Sequence, residues 1–173
     1  MAERKISYGT YTAMTVTNLH SLATDASAPF GGWQSDKIDN QTTTKAIDYE
    51  IMVEIAAVNT APANDKAVYV YAAPCVTTDG GTTWKYSDNG GNSDLLDGAQ
   101  GACDISEPNS MLLLGIIPYT VQNTVLNKTF FLSSSTGGSV PDGFQIVIRN
   151  STGMTFAASA NIVAYRAITE TIA

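Results

Sequence analysis

Between Ile47 and Ile55 every odd-numbered residue is apolar: Ile47, Tyr49, Ile51, Val53 and Ile55. The even positions between them are Asp48, Glu50, Met52 and Glu54. A period of two puts each set on its own face of an extended strand, one buried and one wet. No helical register groups these residues as cleanly. Burying the odd-numbered side chains is worth about 1.5–3 kcal/mol each. The pattern predicts a strand over Lys45–Ala57 and sets the class of the chain as all-β.

Weaker forms of the pattern recur along the chain. Ser7–Thr17 reads as an extended arm or a first strand, and Trp33–Asp39 as a short strand with Trp33, Ser35 and Lys37 on one face. Ala67–Ala73 is a further strand, with Thr82–Tyr86 pairing back onto it. Met111–Ile117 reads as a buried strand, followed by strands at Lys128–Ser134, Gly143–Asn150 and Asn161–Thr169. Loops are expected at Asp25–Gln34, Asn59–Asp65 and Ser87–Asp104. Roughly eight or nine strands separated by Gly, Pro, Asn and Asp turns suit a two-sheet antiparallel sandwich of jelly-roll type. The expected organisation is an N-terminal arm or first strand over residues 1–17 and one β-sandwich domain over residues 18–173.

Bulk properties narrow the function classes. The chain has 173 residues, only 14% of them charged, and a net charge of −7. Its nine Lys and Arg are scattered, with Arg4-Lys5 as the one adjacent pair. Direct nucleic-acid binding wants a basic patch, so neither that nor adhesion to an anionic membrane is expected. The longest apolar run, Met111–Pro118, is broken by Gly115. It falls far short of the ~20 residues of a membrane helix. The first 17 residues lack the apolar core of an export signal. Synthesis in the cytoplasm is expected, with release by lysis or a dedicated machine. Cys75 and Cys103 either pair across a loop or stay free.

Little in the sequence looks catalytic. His20 is the sole histidine and sits among Leu19, Ser21 and Leu22, where a structural role is expected. One His and two distant Cys have no zinc-ligand spacing. Thr77-Thr78-Asp79-Gly80-Gly81-Thr82-Thr83-Trp84 matches the Asp-box, Ser/Thr-x-Asp-x-Gly-x-Thr-Trp, of sialidase-like propellers. Those enzymes carry several copies and an arginine cluster. A single copy here reads as a hairpin turn in which Asp79 accepts from turn amides and Trp84 packs beneath. Asp88, Asp94, Asp97, Asp104 and Glu107 make an acidic stretch without the ligand register of an EF-hand. Its carboxylates and Asn amides could hold calcium; the plainer reading is a solvated loop. Trp33, Tyr69, Tyr71, Trp84 and Tyr86 would form a sugar-binding face if exposed, and otherwise serve as core or interface. No catalytic, cofactor or metal residue is assigned, and no cofactor is expected.

Several stretches taken in order carry a family resemblance. They are Asn18-Leu19-His20-Ser21-Leu22-Ala23, Trp33-x-Ser35, Asp48-Tyr49-Glu50, and the strand ending at Tyr71 followed by Asp79-Gly80-Gly81. Leu114-Gly115-x-Ile117-Pro118 and the segment from Val140-Pro141 through Phe144-Gln145-Ile146-Val147-Ile148-Arg149-Asn150 to Gly153 follow. Together they resemble small virion proteins of tailed bacteriophages, some of them jelly-roll capsid cement (decoration) proteins. The resemblance implies a structural role on the capsid exterior, the major capsid protein as partner, self-association as a dimer or trimer, and no catalytic residues. The N-terminal arm would then reach a neighbouring sheet edge. Alternative readings are a tail, baseplate or fibre-associated virion protein, or a carbohydrate-binding module for host attachment.

Overall fold

The computed structural model describes residues 3–24, 30–41, 45–56, 58–63, 66–87, 96–105 and 110–172. In chain order the strands are β1 (Arg4–Tyr8), β2 (Thr12–Ala13), β3 (Phe30–Gln34), β4 (Ile38–Asp39), β5 (Asp48–Ala56) and β6 (Ala67–Thr77). They continue with β7 (Trp84–Tyr86), β8 (Gly101–Ile105), β9 (Leu112–Pro118), β10 (Val125–Phe131), β11 (Gly143–Ser151) and β12 (Ile162–Ile172). A 3-10 turn at Thr17–Leu19 and one α-helical turn at Ser133–Thr136 complete the elements.

The strands form two antiparallel sheets. One has the order β1–β12–β5–β10, with β2 also beside β12. The other runs β8–β3–β11–β6, and the far edge of β6 carries β9 and then β7. Set aside β2, β4, β7 and β8, and number the remaining strands in sequence. The sheets then read first–eighth–third–sixth and second–seventh–fourth–fifth. That order is a jelly roll, so the expected fold class is the observed one.

The alternating row lands where its periodicity placed it. Tyr49, Ile51, Val53 and Ile55 lie in the core between the sheets. Across from them, Val163 of β12 and Phe130 of β10 share that face. Ile47 departs from expectation and is 43% exposed. The chain bends there and β5 begins only at Asp48, which takes Ile47 out of the row.

Other differences share a cause, which is long-range pairing. The loop expected at Ser87–Asp104 contains β8, which pairs with β3 through Cys103↔Gly32 and Ala102↔Trp33. Gly32 allows this because Ile105 lies across it; a Cβ there would sit 2.7 Å from the Ile105 Cδ1. Gly31, Gly32, Trp33 and Gln34 are likewise strand and not loop. The single strand expected at Trp33–Asp39 is two pieces, both paired with β11. Between them, the buried Ser35 hydroxyl accepts from the Ile146 N–H at 2.9 Å. Met111–Ile117 is not a buried strand. It is β9, at a sheet edge, with Leu113 and Ile116 exposed.

The β8-bearing sheet is covered on both faces. Phe144, Ile146 and Ile148 of β11 point between the sheets, whereas Val147 joins Tyr71, Ala73, Leu96, Cys103, Ile105 and Met111 on the outer side. Cys75 on β6 and Cys103 on β8 are both buried, and neither forms a disulfide. Two strands separate β6 from β8. At about 4.8 Å per strand spacing the two backbones lie ~14 Å apart, well beyond the reach of a disulfide. Burial pushes the Cys75 thiol up to about 12, so it is held as an inert thiol.

Candidate interaction surfaces

The N-terminal segment is laid along β12. β1 pairs from Arg4↔Ile172 to Tyr8↔Ile168, and β2 pairs through Ala13↔Ala164. Its outward side chains meet a charged pair in the middle of the sheet. Arg166 contacts the Glu50 Oε2 through Nε and one terminal nitrogen, each at 2.5 Å. The guanidinium lies between two rings, 4.9 Å from Tyr8 and 4.7 Å from Tyr11. Both ion pairing and ring stacking suit the flat guanidinium. Burial, and after it the hydrogen bond to Glu50, push the Tyr11 phenol up. At the open end of the same strand, Arg4 Nε lies 2.6 Å from Glu170. The segment is thus clasped to its own chain.

A second surface surrounds β9, the turn after it, and β10. Leu113, Ile116, Val121, Val125 and Phe131 are all exposed there. Both strands lie at sheet edges. Lys128 Nζ donates to the Ile116 carbonyl at 2.7 Å, and Ser135 Oγ to the Leu113 carbonyl at 2.9 Å. Side chains thus occupy part of the outward backbone of β9, a common way to blunt an edge. Gly115 keeps this edge tight against the core, since a Cβ there would sit 2.6 Å from the Phe130 ring.

The Asp-box folds as the turn its residues predict. Asp79 Oδ1 accepts from the Thr83 N–H at 2.8 Å, the Thr82 N–H at 3.1 Å and the Thr77 hydroxyl at 2.8 Å. Gly80 and Gly81 take positive φ, and Trp84 Nε1 donates to the Gly81 carbonyl. The backbone and side-chain bonds from Thr83, ahead of the others, hold the Asp79 carboxyl down at about 2, against 3.8 unperturbed. A depressed folded-state value means the turn contributes stability fully above about pH 4 and loses it as pH falls toward 2. Asp79→Ala removes that contribution. Acid unfolding followed by circular dichroism should show the variant less stable than wild type at pH 7, with the gap closing below about pH 3. An equal gap at both pH values would refute the assignment.

The remaining candidates are dispersed. His20 is half-buried, and its Nδ1 lies 3.0 Å from Asn161 Nδ2. Trp33 has no exposed surface and belongs to the core. Trp84 is half-buried, with Lys37 Nζ 3.7 Å above its ring. Tyr69 and Tyr71 stack on the outer face of the β8-bearing sheet, and Arg149 lies 5.3 Å from the Tyr69 ring. Tyr71 is nearly covered and Tyr86 is half-buried, so the aromatics do not line up as one open row. Of the acidic stretch, Asp97 accepts from Gln34 and Ala99, and Asp104 is in β8; Asp88, Asp94 and Glu107 lie outside the described residues. Among the described residues no group of three or more His, Cys, Asp or Glu could hold a metal ion. No described helix is long and apolar enough to cross a membrane. The edge surface escaped sequence reasoning, because the apolar run Met111–Pro118 looks like core until its strand is known to be outermost.

Fold and surfaces together define a jelly-roll β-sandwich with a clasped N-terminal strand and exposed apolar side chains around β9 and β10, besides Ile6 and Tyr8 on β1 and Ile172 on β12. No protein-family model matches the chain, and no curated protein matches it. Among solved structures it is similar to the infectious bursal disease virus Gt strain at 11% identity and a TM-score of 0.12, over 98% of this chain and 37% of that one. Similarity to the Gx strain of the same virus is 10% identity and a TM-score of 0.12, over 98% of this chain and 38% of the other. The chain therefore spans well under half the length of those proteins.

Proposed function

We propose that the protein is a virion structural protein of the capsid cement type, and not an enzyme. It would bind the outside of a shell built from the major capsid protein and stabilise it. The observation that carries this reading is the apolar edge on a jelly-roll core: Leu113, Ile116, Val121, Val125 and Phe131 stand exposed around β9 and β10. Exposed apolar side chains on two edge strands and the turn that joins them suit an interaction surface. Low overall charge and a polar remainder suit affinity built from many copies acting together. Self-association as a dimer or trimer about a symmetry axis of the shell belongs to the same reading.

The test is copy number and location in purified particles, by gel densitometry with a cryo-EM map. Hundreds of copies over the shell, with the β9–β10 edge against the major capsid protein, are expected. A few copies confined to the tail, or none in the particle, would overturn the reading.

A further inference from the structure

Asn161 is almost fully buried, and both the oxygen and the nitrogen of its amide face partners. Its Oδ1 accepts from the Ala56 N–H at 2.9 Å. Its Nδ2 donates to the Ala157 carbonyl at 2.9 Å and faces His20 Nδ1 at 3.0 Å. Turning the amide over would set its NH2 against the Ala56 N–H and its oxygen against the Ala157 carbonyl, so the orientation is fixed. Asn161 must therefore present N–H to the imidazole, and His20 Nδ1 must accept. With the amide so oriented, a neutral His20 ring carries its proton on Nε2.

We infer that His20 is a proton-operated latch between residues 19–24 and the turn at residues 156–161. Protonating Nδ1 would place N–H against N–H, with no acceptor left between them. The two segments are also joined by Ser21 N–H to the Ala157 carbonyl and Phe156 N–H to the Leu22 carbonyl, and farther along Leu22 and Thr24 bond to Asn150 and Gly153. Both sides of the seam hold a non-glycine residue in the left-handed region, Ser21 at φ 59° and Ala160 at φ 64°. Such residues persist only when surrounding contacts hold them, so losing one contact bears on both. Of the strands packed against Thr17–Leu19, β3 carries no charge and β8 brings Asp104. Residues 18–24 and 150–161 carry no Asp, Glu, Lys or Arg. On β5, the nearest charged residue to Ala56 is Glu54, on the outer face and bonded to Asn127. The segment that opens is the one leading from the clasped N-terminal strand into the core at Leu19, so acid would loosen the root of that strand.

Two measurements test the latch on the full chain. The ring-nitrogen chemical shifts of His20 in wild-type protein at about pH 8 should report the Nε2–H tautomer. Amide exchange at Ser21 and Phe156, corrected for the intrinsic rate, should be faster by about tenfold at about pH 5 than at about pH 8. His20→Gln, which offers a carbonyl oxygen at every pH, should abolish that difference. An Nδ1–H tautomer, or the same pH dependence in His20→Gln, would overturn the inference. If that variant does not fold, the wild-type tautomer and exchange measurements decide it.

Discussion

Trp33→Ala is expected to destabilise the protein by about 3–5 kcal/mol in chemical denaturation. Trp33 is wholly buried in the core between the sheets. Its backbone is fixed from both sides, by Ile148 of β11 and Ala102 of β8. Pairing on both edges leaves the strand little freedom to collapse into the space left by the ring, so the cavity cost adds to the lost transfer energy. Trp84→Ala should cost less, because that ring is only half-buried and part of its surface already faces solvent and Lys37. Equal losses at the two positions, or none at Trp33, would contradict this placement of the core. The comparison also bears on glycan binding, since a ring with no exposed surface cannot stack on a sugar.

Asn150→Leu should cost about 3 kcal/mol or more, in spite of the apolar surroundings. Asn150 has no exposed surface. Its Nδ2 donates to the Leu22 carbonyl at 2.9 Å and to the Met154 carbonyl at 2.8 Å. Its Oδ1 accepts from the Thr152 N–H at 3.1 Å and from the Thr152 hydroxyl at 2.6 Å. Leucine matches the volume but leaves these groups to find new partners inside the protein, and each unsatisfied group costs about 1–3 kcal/mol. Because Leu22 belongs to the segment leaving the N-terminal strand, the loss should also appear as faster exchange of the Phe156 amide, which bonds the same carbonyl. A denaturation midpoint equal to wild type would show that the network is not closed as described.

These expectations depend on features of unequal visibility in the sequence. The row Tyr49, Ile51, Val53 and Ile55 was legible because a strand's alternation is a local property. The Asp79 turn was legible for the same reason, since its donors and acceptor all lie between Thr77 and Trp84. β8 was not, because Gly101-Ala102-Cys103-Asp104-Ile105 makes a strand only when Gly32 leaves room for Ile105. The end of the alternating pattern at Ile47 was hidden too, since the bend there is set by where β5 leaves its neighbours. As for the candidate surface, the apolar character of Met111–Pro118 was evident but its position was not. A run of Leu and Ile reads alike in a central strand and at an edge.

Residue order by itself settled what each short stretch can be: extended or turning, one-faced or two-faced. Tertiary structure decided which stretches meet. Glu50 finds Arg166, Ala56 finds Asn161, and His20 finds Asn161, each across more than a hundred residues of chain. Periodicity reports only how a side chain is oriented relative to its own backbone. Partners so distant are selected by the cooperative packing of two sheets, in which each register is stable only once the others have formed.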